Sequence, residues 1–198
     1  MLRRQFVTGL LMTVVLTVLL GFVYPLVVTG ISQGLMSKRA NGSLVSQNGK
    51  VVGSSLIGQN FTDAKGNPLV QYFQPRPSAA GTKGYDAMSS GGSNLGPSNP
   101  TLLDTIAQQV AQYRKFNGLA ADAKVPVDAV TTSASGLDPQ ITVANARLQA
   151  ARVARARSLT VAQVTALIAA HTQGRQLGVL GEQTVNVLEL NLGLDSMR

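Results

Sequence analysis

The chain has 198 residues, of which 44% are hydrophobic, 13% charged and 5% aromatic, with a net charge of +8 and a mean hydropathy of +0.15. Soluble domains carry about 25% charged residues, so a positive hydropathy at half that charge places part of the chain in lipid. It contains no Cys and a single His, which excludes disulfide scaffolds, thiolate metal sites, Cys nucleophiles and multi-imidazole centres.

No charged side chain occurs from Gln5 to Ser37, and residues 6–28 include fifteen Leu, Val or Phe. At 1.5 Å per residue that stretch spans about 34 Å, enough to cross a hydrocarbon core of about 30 Å. A cleaved signal peptide is the alternative, although its apolar region is normally about 7–15 residues. The expected organisation is an N-terminal segment with the transmembrane helix (1–34, span about 6–28) and one soluble domain (35–198). Arg3 and Arg4 favour a cytoplasmic N-terminus and an extracytoplasmic domain, although Lys38, Arg39 and Lys50 on the far side weaken the charge asymmetry. Gly9, Thr13, Thr17 and Gly21 recur every fourth residue along one stripe, a small-residue face suited to packing on a partner helix. Tyr24 and Pro25 mark the outer end, where the proline is expected to bend the last turn.

Asn48-Gly49 between Val-rich runs predicts a short hairpin, with residues 54–59 as a possible third strand. Residues 62–98 are rich in Gly, Ser, Pro and Asn without periodicity, a long loop of the kind that is functional or ordered against a partner. Asn99 and Pro100 open a helix carrying Leu102, Leu103, Ile106, Val110 and Tyr113 and ending at Gly118. A second, alanine-rich helix runs from after Thr142 to about Arg157, and its Arg147, Arg152, Arg155 and Arg157 spread around the axis, as on a solvated basic helix and unlike a nucleic-acid footprint. Thr160 and Gln163 form a capping box for a third, with Val161, Val164, Leu167 and Ile168 facing inward and His171 as a packed or capping residue in its last turn. The alternation of Leu188, Leu190, Leu192 and Leu194 in VNVLELNLGLD predicts a half-buried C-terminal strand. The fold class is therefore α+β: one transmembrane helix, then a mixed domain with a hairpin, about three helices and that strand.

No P-loop, HExxH, GxSxG or phosphorylatable Asp-Lys-Thr-Gly motif is present. The glycine-rich Ser90, Gly91, Gly92, Ser93 and Asn94 weakly resemble a phosphate-cradling loop, but without a following Lys they read as a Gly-rich turn. An anchored enzyme would need converging titratable groups, and a basic binder of anionic lipid or nucleic acid would need a clustered patch.

The strings GFVYPL (21–26), ANGSLV (40–45), LIGQNF (56–61), RPSAA (76–80), SGGSNLGPSNP (90–100), SASGLDPQIT (133–142), RVARARSLT (152–160) and VNVLELNLGLD (185–195) together resemble the C subunit of the Kdp potassium-transporting P-type ATPase. The resemblance implies a non-catalytic accessory subunit in a bacterial inner membrane, needed for assembly or stability of a potassium uptake pump. Its partners would be a channel-like A subunit beside it at the outer face, an ATP-hydrolysing B subunit, a small F subunit and membrane lipid, with no nucleic acid. Potassium would be the transported ion and no metal would be held by the chain itself. The resemblance also carries a catalytic-chaperone alternative, in which the chain raises the B subunit's affinity for ATP and Gln149 contacts the nucleotide. The segment from Asp63 to Gln71 is an insert relative to the pattern. Within this reading residues 62–98, with the SGGSN run, make the contact with the channel-like subunit, and the basic helix faces away from the ion path.

Overall fold

A computed structural model describes residues 1–197, which divide into two compact units, the first 1–44 and the second from 45 onward. The first is a helical rod. Helix α1 (Leu2–Val18) passes through a π-helical turn (Leu19–Val23) into α2 (Tyr24–Ala40). Pro25 has no N–H to give the Gly21 carbonyl, and its ring crowds that group; the widened turn before it, where Tyr24 N–H reaches back to Leu19 O, accommodates both effects. The irregular turn thus precedes the proline, and the helix continues well past it, interrupted only at Met36 (φ −147°, ψ 45°). The 39 residues from Leu2 to Ala40 are the one helix among the described residues long and apolar enough to cross a membrane. Thr8 and Thr13 donate their hydroxyls to the carbonyls four residues earlier, at 2.9 Å each, so neither is left unpaired in an apolar medium.

The second unit is α+β. Strands β1 (Leu44–Gln47) and β2 (Lys50–Ser54) form the hairpin, and both turn residues take positive φ (Asn48 52°, Gly49 76°), the type I′ requirement. There is no third strand at residues 54–59: the chain turns back on itself through a Ser54–Ile57 bridge. The helix expected at Asn99 is α3 (Pro100–Asn117); Asn99 Oδ1 accepts from Thr101 N–H and Gly118 closes it with φ 65°. Strand β3 (Gln140–Thr142) leads directly into α4 (Val143–Arg157), capped by Thr142, and α5 (Val161–Ala170) begins at the complete Thr160–Gln163 box. Val164 and Ile168 of α5 are buried, whereas Val161 is half exposed. His171 caps α5, its Nδ1 3.0 Å from Leu167 O and its ring against Gly193. Strands β4 (Thr172–Gln173) and β5 (Thr184–Asn186) complete an antiparallel sheet in the order β3-β5-β4, with Ile141 opposite Val185.

The C-terminal strand expected from leucine alternation is instead a three-residue strand followed by a helix, α6 (Val187–Asp195). Asn186 ends β5 and caps α6 by accepting from Glu189 N–H. In helical register Val187, Leu190, Asn191 and Leu194 form one buried stripe at i, i+3, i+4 and i+7. The core joins that stripe to Ile141 and Val185 of the sheet, Ala146, Ala150, Val153 and Ala154 of α4, Val164 and Ile168 of α5, and Phe73 from the long loop.

Candidate functional site

Residues 62–98 contain no helix or ladder strand, yet they are built into the domain. Phe73 and Ala80 are fully buried. An extended residue presents its N–H and C=O to the same side, and consecutive residues present them to opposite sides. Two side-chain amides exploit this. Asn191 of α6 accepts from Phe73 N–H (2.9 Å) and donates to Phe73 O (3.0 Å). Gln149 of α4 accepts from Gln74 N–H (2.8 Å) and donates to Gln74 O (3.0 Å). Each carboxamide replaces the strand that the loop lacks, one from either flank.

Gln149 has no hydrogen-bonding capacity to spare. Besides its two bonds to Gln74, its Oε1 accepts from Arg152 Nη2 (2.7 Å) and its Nε2 donates to Asn145 Oδ1 (3.0 Å). Two acceptor positions and two donor hydrogens are all a carboxamide offers. The ribbon continues at both ends. Asn145 donates to Asp128 Oδ2 (3.0 Å) and accepts from Tyr113 Oη (2.8 Å), while Arg152 donates to Asn117 Oδ1 (3.0 Å) and to the carbonyls of Val70 and Tyr72. A buried carboxylate and a buried guanidinium are thereby connected through two amides, which partly offsets the cost of desolvating each. Burial pushes the Tyr113 phenol above its ordinary range, reinforced by Asp128 and opposed by Arg152; burial likewise lowers the Arg152 guanidinium.

The solvated basic helix holds only in part. Arg147 and Arg155 are exposed, but Arg152 is buried with its guanidinium 4.4 Å from the Phe116 ring centre. Arg157 reaches Gln71 O (2.7 Å) and Asp195 (2.8 Å) and lies over Tyr72. Two arginines therefore fasten the far end of the Asp63–Gln71 segment, since a guanidinium can serve several carbonyls at once. At its near end Asp63 accepts from Lys65 N–H, Asn67 N–H and Asn67 Nδ2; the Asn67 side chain first among these holds the Asp63 carboxyl below its ordinary value.

Three of the sequence strings converge beside this ribbon. Arg76 pairs with Asp138 (3.4 Å) and donates to Thr132 O. Ser78 Oγ donates to Gly136 O (2.6 Å), and Ser135 Oγ to Asp138 Oδ1 (2.9 Å). The SGGSN loop joins them: Gly91 N–H and Ser90 Oγ both donate to Ser135 O. A Cβ on Gly92 would sit 3.1 Å from Ala134 O, so a side chain there would press on the facing backbone by a few tenths of an ångström. Ser90, Ser93 and Asn94 are exposed, whereas Gly91 and Gly92 are half-buried. On the membrane helix, Gly9, Thr13, Thr17 and Gly21 are exposed, and Gly21 falls within the π turn, where the extra residue per turn shifts it off a strict four-residue stripe.

A cleft of about 290 Å³ is lined by Gln109, Gln112, Tyr113 and Phe116 of the C-terminal half of α3, by Gln74 and Arg76 of the long loop, and by Gln149 of α4. Among the described residues no three His, Cys, Asp or Glu side chains gather as metal ligands. The signal that could have revealed the ribbon is a polar stripe, Thr142, Asn145, Gln149 and Arg152, at helical spacing on an otherwise alanine-rich helix.

Residues 6–196 match the family described as KdpC: K+-transporting ATPase, c chain. The chain is 56% identical over 196 residues to the potassium-transporting ATPase KdpC subunit of Mycobacterium tuberculosis (strain H37Rv), covering 99% of this chain and 100% of the relative. It is 52% identical over 195 residues to the KdpC subunit of Koribacter versatilis (98% and 95%), and 53% identical over 189 residues to that of Gemmatimonas aurantiaca (96% and 91%). A match along nearly the whole chain, with one apolar N-terminal helix and an α+β domain behind it, makes this protein a member of the KdpC family, the c chain of the K+-transporting ATPase.

Proposed function

We propose that the chain is a non-catalytic, accessory subunit that supports assembly and stability of the potassium pump. Its N-terminus is cytoplasmic, its Leu2–Ala40 helix is packed on a partner helix through the face bearing Gly9, Thr13, Thr17 and Gly21, and its domain lies outside, beside the channel-like A subunit. The B and F subunits complete the assembly. The observation that carries the non-catalytic reading is the state of the buried polar groups: Asp128, Asn145, Gln149, Arg152 and Asn191 are all bonded within the chain, so they brace the fold and offer no reactive group. An ATP contact through the Gln149 amide would require breaking bonds to Gln74, Asn145 or Arg152.

Co-purification from membranes is the test. The tagged chain is expected to retain the pump subunits through a high-salt wash, because packing in the membrane does not depend on screened surface charge. Leu at positions 9, 13, 17 and 21 together is expected to weaken retention while leaving the chain in the membrane. Ser98→Cys supplies the only thiol and should react with an impermeant reagent on intact spheroplasts. Normal retention with all four leucines, or labelling only after lysis, overturns the corresponding part.

A further inference from the structure

Every carbonyl of a helix that crosses lipid must find a hydrogen-bond donor, because hydrocarbon supplies none. Around the π turn the donors can be counted. Tyr24 N–H serves Leu19 O. Val23 is the residue at which α2 starts, so its carbonyl accepts the first four-residue bond of that helix, from Val27 N–H. Between these two bonds lie three carbonyls, those of Leu20, Gly21 and Phe22, and the positions left to serve them are 25 and 26. Pro25 has no N–H. Leu26 can serve one carbonyl, which leaves two of the three without a donor in the helix. No side chain makes up the deficit: the Thr8 and Thr13 hydroxyls go to the Arg4 and Gly9 carbonyls, several turns away.

This gap lies in hydrocarbon however the helix is positioned. A span takes about 20 residues, and any such window within the uncharged stretch 5–37 includes residues 18–24. The possible donors are then few. Acyl chains carry none, and the backbone N–H groups of a neighbouring helix are used within that helix. Water would need a polar path, whereas the flanking side chains are Leu19, Leu20, Phe22, Val23 and Leu26. What remains is a donor-bearing side chain on another transmembrane helix, the usual remedy where a proline frees carbonyls in a membrane. Access is open: residues 19–23 are exposed, and Gly21 has no atom within 4 Å of the place a Cβ would take.

We propose that the carbonyls of Leu20, Gly21 and Phe22 are a docking point for a hydrogen-bond-donating side chain from a transmembrane helix of another pump subunit. The inference rests on the accessory-subunit reading and deepens it, by fixing where on the helix the contact is made and by what chemistry.

The test places a photoreactive benzophenone side chain at Phe22, which is 62% exposed, in the full complex in membranes, and maps the adduct by mass spectrometry. The adduct is expected on a partner helix within about one turn of a Ser, Thr, Tyr, Trp, Asn, Gln, Lys or Arg side chain. Replacing that donor with leucine should lower the fraction of this chain that co-purifies by about three-fold, as for one interhelical hydrogen bond. Pro25→Ala restores an N–H at position 25 and so removes one of the two deficits. In that background the same replacement should cost less than about two-fold, a dependence that simple packing against the helix would not show. The docking proposal is overturned by no adduct in a complex that still co-purifies, by adducts to lipid alone, or by an adduct on a segment without a donor. An unchanged fraction on replacing the donor, or an equal loss with and without Pro25→Ala, overturns it as well. Failure of the unaltered chain to co-purify would instead overturn the accessory-subunit reading.

Discussion

Gln149→Ala tests the ribbon directly. The substitution removes four hydrogen bonds at a residue that is 1% exposed. Asn145 Oδ1 would keep Tyr113, and Arg152 would keep Asn117 and the Val70 and Tyr72 carbonyls through Nε and Nη1, so the groups left without a partner are the N–H and C=O of Gln74 and the Nη2 of Arg152. At roughly 1–2 kcal/mol for each unmade backbone bond, plus about 1 kcal/mol for the charged bond to Arg152, the loss is about 4 kcal/mol. Water entering from the adjoining cleft should return about 1 kcal/mol, leaving about 3 kcal/mol. For a domain of this size that is a fall in Tm of roughly 6–12 °C. The assay is thermal unfolding of the purified full chain followed by circular dichroism, in parallel with the ATP dependence of the assembled pump. A fall under about 2 °C would refute the bracing argument. A weaker apparent affinity for ATP with unchanged Tm and intact assembly would refute it too, and would move Gln149 to the nucleotide.

Arg157→Met keeps the stem against Tyr72 but loses the bonds to Gln71 O, Leu194 O and Asp195; it should cost about 2–3 kcal/mol in urea unfolding, against about 1 kcal/mol for Asp195→Asn, whose side chain is partly exposed. Equal, near-zero effects would refute the fastening of the 63–71 segment. Asp63 is held below 3.8 chiefly by the Asn67 side chain, so the turn's support is fully present above that value and is lost as pH falls through the lowered one. The Asn67 amide resonance should titrate below pH 3.8, and Asn67→Ala should move the Asp63 midpoint upward; a midpoint at or above 3.8 in the unaltered chain contradicts the geometry.

The elements that the sequence announces clearly are those with chemistry at both ends. Asn99-Pro100 to Gly118, Thr142 to Ser158 and the Thr160–Gln163 box each satisfy terminal N–H or C=O groups locally, so neighbours distant in sequence hardly alter them. Residues 187–195 mislead because leucine at every second position satisfies a strand face, and also fills both buried and half-buried positions of a short helix. The deciding sign was Asn186 three residues before Glu189, a cap at the same spacing as Thr160–Gln163, together with leucine and glutamate, which favour helix, where a strand would use β-branched residues. The long loop was illegible for a different reason: its order comes from side chains 75 and 118 residues away, and no local pattern encodes that.

The same separation governs when the cleft can come into being. Gln74 and Phe73 leave the ribosome long before α4, and α6 follows later still, so the loop that forms one wall of the cleft has neither of its two grips when it is made. Contacts this distant in sequence close late and slowly. The hairpin and α3 can form within microseconds of synthesis, but the surface at Gln74–Pro77 has its final shape only after Asn191 has docked. A partly made chain therefore lacks this surface in its finished form, and ordering of α6 is the step that completes it.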